Sequence, residues 1–165
     1  MKKIVTYPIV LIAIVVFSLS VNGQAQDAVK ETEQTPVIIF VCEHGAAKSI
    51  LSAAIFNKLA GERRLNIRAI ARGTNPDPEI SPKVAAGLRA DGLASSESAP
   101  KKISKADLVG ARHVITFCTL PDDYSGSIRV ENWDEVLPAI EDYDKARDRL
   151  VERINRLLEE LKSKQ

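Results

Sequence analysis

The sequence has little of several things, and each scarcity removes a class of protein. Two cysteines among 165 residues are too few for a disulfide scaffold, so a core must come from the 45% of residues that are hydrophobic. Lysine and arginine number 23 against 22 aspartates and glutamates, a formal charge of +1, so the basic excess of a nucleic-acid binder is missing and no nucleic-acid partner is expected. Two histidines, His44 and His113, add no ligand set at zinc spacing to the cysteines, so neither a metal nor a cofactor is expected. Aromatics make up only 5%, leaving Tyr124, Trp133 and Tyr143 as candidates to wall a pocket in the folded part. The eight glycines and eight prolines follow no period, and no repeat appears, which excludes collagen-like and solenoid chains. What remains is one ordinary globular domain.

The longest hydrophobic run is N-terminal. Lys2 and Lys3 precede an uncharged stretch from Ile4 to Val21, and Gly23-Gln24-Ala25 supplies the small-residue pattern of a cleavage site. The expectation is a signal peptide over residues 1–25, with the folded part exported to the periplasm or secreted. Left uncleaved, residues 4–21 are nearly long enough to anchor the chain in a hydrocarbon core about 30 Å thick, and only then is the membrane a partner. No cysteine follows the run, so a lipoprotein anchor is excluded. Residues 26–35, QDAVKETEQT, lack an apolar period and are expected to be a flexible tether, leaving a domain over 36–165. Without residues 1–25 the chain keeps 21 basic and 22 acidic side chains, a charge of −1.

Within the domain, strands and helices alternate. Val37 to Val41 is unbroken and apolar, as a strand buried on both faces of a parallel sheet requires, and it ends in Cys42. Ser49 to Lys58 follows with helical spacing, stopped by Gly61. Asn66 to Arg72 is a second strand, Ser81-Pro82 opens a helix that Gly92 closes, and one short helix is expected in the stretch before Leu108. Val114 to Cys118 is a third strand and Ile128 to Trp133 a weaker one near an edge. Asp142 to Lys162 is an amphipathic helix, with Tyr143, Leu150, Ile154, Leu157 and Leu161 on one stripe and Glu141/Lys145, Glu152/Arg156 and Glu160/Lys164 at i,i+4 spacing. The pattern is that of an α/β sandwich with a mostly parallel sheet.

In such a sheet, ligands gather where strands run into helix N-termini. Phe40 to Ile50, FVCEHGAAKSI, is such a junction. Backbone N–H groups of the loop Glu43, His44, Gly45, Ala46 and Ala47 can converge on an anion, and the helix dipole adds to the attraction. A cysteine held there is favoured as thiolate, hence as a nucleophile. Gly45 can take the positive φ a tight loop needs, Lys48 adds a cation, and the Ser49 hydroxyl can donate to the Cys42 thiolate or cap the helix. Alone, Cys42 would read as a buried thiol; with these neighbours it reads as part of an oxyanion site.

These residues resemble a known family, the low-molecular-weight protein tyrosine phosphatases and the thioredoxin-coupled arsenate reductases of the same fold. Their signature is a cysteine, five residues, arginine, then serine or threonine after the first strand; here it is Cys42-Glu43-His44-Gly45-Ala46-Ala47-Lys48-Ser49. Ala71-Arg72-Gly73-Thr74 is similar to the family's small-residue stretch after the second strand, Pro100-Lys101 to Asp107 to a later segment, and Val114 to Cys118 to its third strand. The resemblance covers about residues 36–160 and implies a three-layer α-β-α sandwich with a four-stranded parallel sheet in the order 2-1-3-4. It implies Cys42 as the nucleophile toward phosphorus or arsenic, Ser49 as the hydroxyl steadying its thiolate, and the backbone of Glu43 to Lys48 as the holder of a phosphate or arsenate oxyanion.

The chain departs from the family at three places. Lys48 replaces the arginine, exchanging a planar fork for a flexible point charge, so catalysis should weaken more than anion binding. Leucine precedes Pro138 where the phosphatases carry the aspartate that protonates the leaving oxygen; Asp134 or Glu135 could substitute or be solvated loop acids. Gly45 stands in place of an asparagine, with His44 before it to tune Cys42 or face solvent, while His113 reads as a surface or partly buried histidine. In the implied strand order Cys118 shares a rim with Cys42, as a core thiol or as a redox partner within disulfide reach that an external thiol reductant would regenerate. The leading expectation is slow, metal-independent hydrolysis of phosphomonoesters, phosphotyrosine among them. The alternatives are arsenate reduction with Cys118 as resolving cysteine, and oxyanion binding without turnover.

Overall fold

Alternate residues of Val37–Cys42 (β1) face opposite sides of the sheet, and all but the first are buried. Ile38, Phe40 and Cys42 join the larger apolar cluster, while Ile39 and Val41 join a smaller one on the other face. The strand therefore lies inside a sheet covered on both sides. In the computed structural model, which describes residues 35–124 and 128–163, β1 pairs in parallel with Arg68–Gly73 (β2) and Ala111–Thr116 (β3), and β3 pairs in parallel with Val130–Asn132 (β4). The order is β2-β1-β3-β4, as the resemblance implies. The expected signal segment, 1–25, and the tether up to 34 lie outside the described residues.

The two covering layers are unequal. On the larger cluster's side, Lys48–Glu62 (α1) packs on β1 and β2 and against Tyr143–Lys162 (α4), with Pro82–Ala90 (α2) at the margin. The apolar stripe of α4 is buried as its spacing predicts, and Asp142 caps the helix by accepting from the Lys145 N–H at 3.1 Å. Of the expected i,i+4 pairs, Glu152 and Arg156 meet. Lys145 pairs instead with Asp142 and Glu160 with Arg129, while Lys164 lies outside the described residues. The opposite face is covered by a strap from Glu97 to Gly110 that contains only one helical turn, Lys105–Leu108 (α3), and by Leu120, Tyr124 and Ile128.

Several boundaries differ from the sequence expectation, each for a local reason. Gly61 does not stop α1; the helix runs to Glu62 and ends with Arg64 at φ 55°, where the Leu65 N–H donates to Ala60 O and the Arg64 N–H to Gly61 O. Gly92 closes α2 in the same way at φ 61°. Strand β2 starts at Arg68 rather than Asn66. Strand β3 stops at Thr116, before Cys118, because the Thr116 hydroxyl accepts the Cys118 N–H at 3.2 Å and donates to Cys118 O at 2.6 Å, turning the chain. The three aromatics considered as pocket walls belong to the packing: Trp133 lies 5.9 Å from Phe40, ring to ring, Tyr143 is buried, and the Tyr124 hydroxyl donates to Ile103 O.

Gly87 of α2 lies flat against the Tyr143 ring, and a Cβ there would overlap ring carbons, while the Tyr143 hydroxyl donates to Asp91 at 2.9 Å. Overpacking of about 1–3 kcal/mol outweighs the gain of up to about 1 kcal/mol in helix propensity, so Gly87→Ala should lose up to about 2 kcal/mol in urea unfolding. An unchanged midpoint would contradict this contact.

Candidate functional site

Cys42 is the last residue of β1, opposite Gly73, the last residue of β2. The two strands are parallel, so their loops leave the sheet side by side and lace together. The N–H groups of Thr74, Asn75, Asp77 and Ser81 donate to the carbonyls of Cys42, Glu43, His44 and Ala46 at 2.8–3.1 Å. Among the described residues, no backbone carbonyl accepts from the N–H groups of residues 43–47. With the carbonyls of Cys42, Glu43, His44 and Ala46 taken up by the neighbouring loop, the donors of residues 43–47 are left for another partner, and α1 begins immediately after them. Gly45 is at φ +62°, the conformation expected from its position. It also lies against Gly73: a Cβ on Gly73 would fall 2.8 Å from the Gly45 nitrogen, and one on Gly45 3.0 Å from the Gly73 nitrogen.

Cys42 is 6% exposed, and its sulfur is 3.2 Å from the hydroxyl of Ser49, which is fully buried. Ser49 thus turns to the thiol rather than capping the helix, whose N-cap position has no side-chain hydrogen bond. Cys42, Glu43, His44, Ala47 and Lys48 line a pocket of about 270 Å³, closed by Phe117, Cys118 and the segment Pro138 to Glu141. Gly45 and Ala46 support the loop from behind, Ala46 being buried. Lys48 is placed at the pocket, but its ammonium donates to Val136 O at 3.1 Å and sits 5.2 Å from the Phe117 ring centre. His44 stands at the mouth with Nδ1 3.1 Å from Asp77 Oδ1, and Glu43 Oε2 lies 3.9 Å from its Nε2.

Cys118 lines the same pocket as Cys42, and both are free thiols. Burial pushes the Cys118 thiol up, the neighbouring Cys42 adds to that, and contacts with Thr116 and Thr74 work against it. Neither Asp134 nor Glu135 lines the pocket. The Asp134 N–H donates to Asn132 Oδ1 at 2.8 Å, and Glu135 pairs with Arg153 at 2.8 Å. His113 is neither superficial nor partly exposed: it is 2% exposed on β3, its Nε2 3.6 Å from Glu131 Oε2.

Sequence reasoning missed a cluster behind the loop. Arg72, on β2 beside Gly73, donates to Asp107 through Nε and Nη2 at 2.9 and 2.8 Å and to Glu97 through Nη1 at 2.9 Å. All three side chains are no more than 14% exposed. The cluster fastens the strap where Gly73 donates to Lys101 O and accepts from the Ile103 N–H, so it holds the residue on which Gly45 rests. Its signal was a second arginine in RAIARG, near the end of the strand where the first, Arg68, stands exposed at the start.

A family model described as low molecular weight phosphotyrosine protein phosphatase matches residues 37–124. The chain belongs to that family. Among solved structures, a mutant of YwlE from Bacillus subtilis is 22% identical, with a TM-score of 0.68 over 77% of this chain and 99% of its own. A low molecular weight protein tyrosine phosphatase from T. tengcongensis is 21% identical, with a TM-score of 0.68 over 76% and 99%. A thioredoxin-dependent arsenate reductase from Corynebacterium glutamicum is 23% identical, with a TM-score of 0.63 over 79% and 64%. A comparison with curated proteins gives no significant match. As a low molecular weight phosphatase by family, the chain carries lysine at position 48 for the signature arginine and an exposed leucine at 137 where the resemblance puts an acid.

Burial opposes ionisation of Asp107, but hydrogen bonds from Arg72 and Ser104 outweigh it and hold the carboxyl below its usual range. A depressed folded-state pKa contributes stability that is complete above the ordinary carboxylate range and disappears as pH falls through the folded value. Asp107→Asn should therefore lose about 1–3 kcal/mol in urea unfolding at pH 7, with the gap to the parent protein shrinking in strong acid. A gap independent of pH would contradict the assigned charge state.

Proposed function

We propose that the domain hydrolyses phosphomonoesters through a thiolate at Cys42. The thiolate attacks phosphorus, an S–P bond forms as the ester P–O bond breaks, and the leaving oxygen takes a proton. Water then attacks the phosphocysteine, the S–P bond breaks, and orthophosphate departs with the thiolate restored. The observation that carries this reading is the Cys42 sulfur held 3.2 Å from buried Ser49 at the head of a loop whose carbonyls are committed elsewhere. Family membership supports phosphate-type oxyanions as ligands. It does not choose the ester, since one similar structure is that of an arginine phosphatase and another that of an arsenate reductase.

The reaction is slow on this reading. Lys48 offers a single point charge already engaged with Val136 O, where arginine would grip two oxygens. The proposal includes export directed by residues 1–25, with a mature chain starting at Gln26. An external thiol is the chemistry that keeps Cys42 reduced in an oxidising compartment.

Cys118 favours a second reading, because it stands on the same pocket wall as Cys42. In thiol-dependent arsenate reduction, the Cys42 thiolate would attack arsenic, an S–As bond forming as an As–O bond breaks and water leaves, and the Cys118 thiolate would then attack the Cys42 sulfur. The S–S bond then forms as arsenic(V) leaves as arsenite, and an external dithiol reduces the disulfide. The engaged Lys48 and Leu137 favour a third, oxyanion binding without turnover.

Fully reduced protein should hydrolyse an aryl phosphate above the Cys42→Ser background, and Lys48→Arg should raise the rate. Equal rates for parent and Cys42→Ser would reject hydrolysis. Arsenite release lost in Cys118→Ser would select the second reading, and micromolar phosphate binding in calorimetry with no turnover the third.

A further inference from the structure

A leaving oxygen that departs without a proton carries its full charge, and a positioned acid that relieves it is worth about 10²–10⁴-fold. Leu137, 49% exposed, cannot supply that proton, and Asp134 and Glu135 lie off the pocket in contacts of their own. The mouth of the pocket does hold a group of the right kind. His44 is two residues from Cys42 and lines the same pocket.

Its ring is held at Nδ1, on a residue whose main chain is held as well. The Asp77 carboxylate lies 3.1 Å from Nδ1, and the Asp77 N–H donates to His44 O at 2.9 Å, so side chain and main chain tie the same two residues together. With Nδ1 engaged by a carboxylate, Nε2 is the nitrogen left to exchange a proton. Glu43 Oε2 is 3.9 Å from Nε2, beyond hydrogen-bonding distance. Across the pocket stand Lys48, Glu141 and the thiols of Cys42 and Cys118. Of these, Glu141 is the rival donor. Imidazole alone of these groups has two ring nitrogens, so that a carboxylate can hold one while the other exchanges a proton.

We propose that His44, oriented by Asp77, is the general acid and base of the Cys42 reaction. The inference rests on the hydrolase reading. In the first half, imidazolium Nε2–H gives its proton to the ester oxygen as the P–O bond breaks and the S–P bond forms. In the second half, the neutral imidazole takes a proton from the attacking water as the S–P bond breaks, which restores the imidazolium and the thiolate.

The test compares kcat/KM, which reports the first half, for phenyl phosphate and 2,4-dinitrophenyl phosphate in the reduced full chain and in His44→Asn, Asp77→Asn and Glu141→Gln. Phenoxide needs a proton on leaving and dinitrophenoxide does not. His44→Asn should lose about 10²-fold or more on phenyl phosphate and less than about threefold on dinitrophenyl phosphate, the second substrate serving as the control for folding. Asp77→Asn should lose less, in the same direction, with the alkaline limb of the pH profile displaced. Equal losses on both substrates, no loss, or a leaving-group-dependent loss in Glu141→Gln would overturn the assignment. No turnover of dinitrophenyl phosphate above Cys42→Ser would overturn the hydrolase reading and this inference together; turnover without the His44 dependence overturns this inference alone.

Discussion

Two glycines in contact set the form of the site. Gly45 and Gly73 approach so closely that Gly73 has no room for a Cβ and Gly45 has room only for a tight one, and Gly45 also holds a left-handed conformation that costs an ordinary residue about 1–2 kcal/mol. The contact exists because β1 and β2 run parallel in a register that places Cys42 opposite Gly73. From it follow the four hydrogen bonds between the loops, the outward turn of the loop carbonyls, and the donor-lined turn at the start of α1. The sheet therefore positions the loop as much as the loop's own residues do.

The charges around the pocket divide into those that hold the fold and those that remain for chemistry. Arg72 has two carboxylates at hydrogen-bonding distance and little exposure, so it secures the strap behind Gly73. Lys48 joins the start of α1 to the segment before Pro138 through Val136 O, which ties the pocket's two walls together at the expense of a cation aimed at the anion. The proposed phosphatase would thus keep the thiolate, the hydroxyl behind it and the donor loop of its family while lacking the family's arginine fork and carboxylic acid. A slow enzyme, or one whose proton comes from His44, is what that balance implies.

Much of this was legible in the sequence because it depends on local periodicity. The unbroken VIIFVC run, Pro82 and Gly92 around α2, and the apolar stripe of α4 each reflect burial on one face or two. Cys42, Gly45 and Ser49 could be placed for the same reason, since a strand-to-helix junction fixes their relation. What was not legible depends on partners distant in sequence. Arg72 finds Glu97 and Asp107 25 and 35 residues on, His44 finds Asp77 33 residues away, and Lys48 finds Val136 88 residues away. The β3 boundary at Thr116 and the helical Gly61 were missed because a hydroxyl turn and an arginine in the left-handed region replace the usual signals. Phe40 and Tyr143 could be read as core from an unbroken strand and an apolar stripe, but a list of residues does not say that Phe117 stacks on Phe40 while Trp133 packs against both at an angle.

The most direct measurement is calorimetric titration of the reduced protein and of Gly73→Ala with inorganic phosphate, alongside aryl phosphate turnover. Gly73→Ala leaves every proposed catalytic side chain in place and alters only the surface on which Gly45 rests. It should remain folded by circular dichroism, lose phosphate binding by an order of magnitude or more, and lose turnover with it. Parent-like phosphate affinity and turnover in a folded Gly73→Ala protein would contradict the claim that this contact shapes the anion loop.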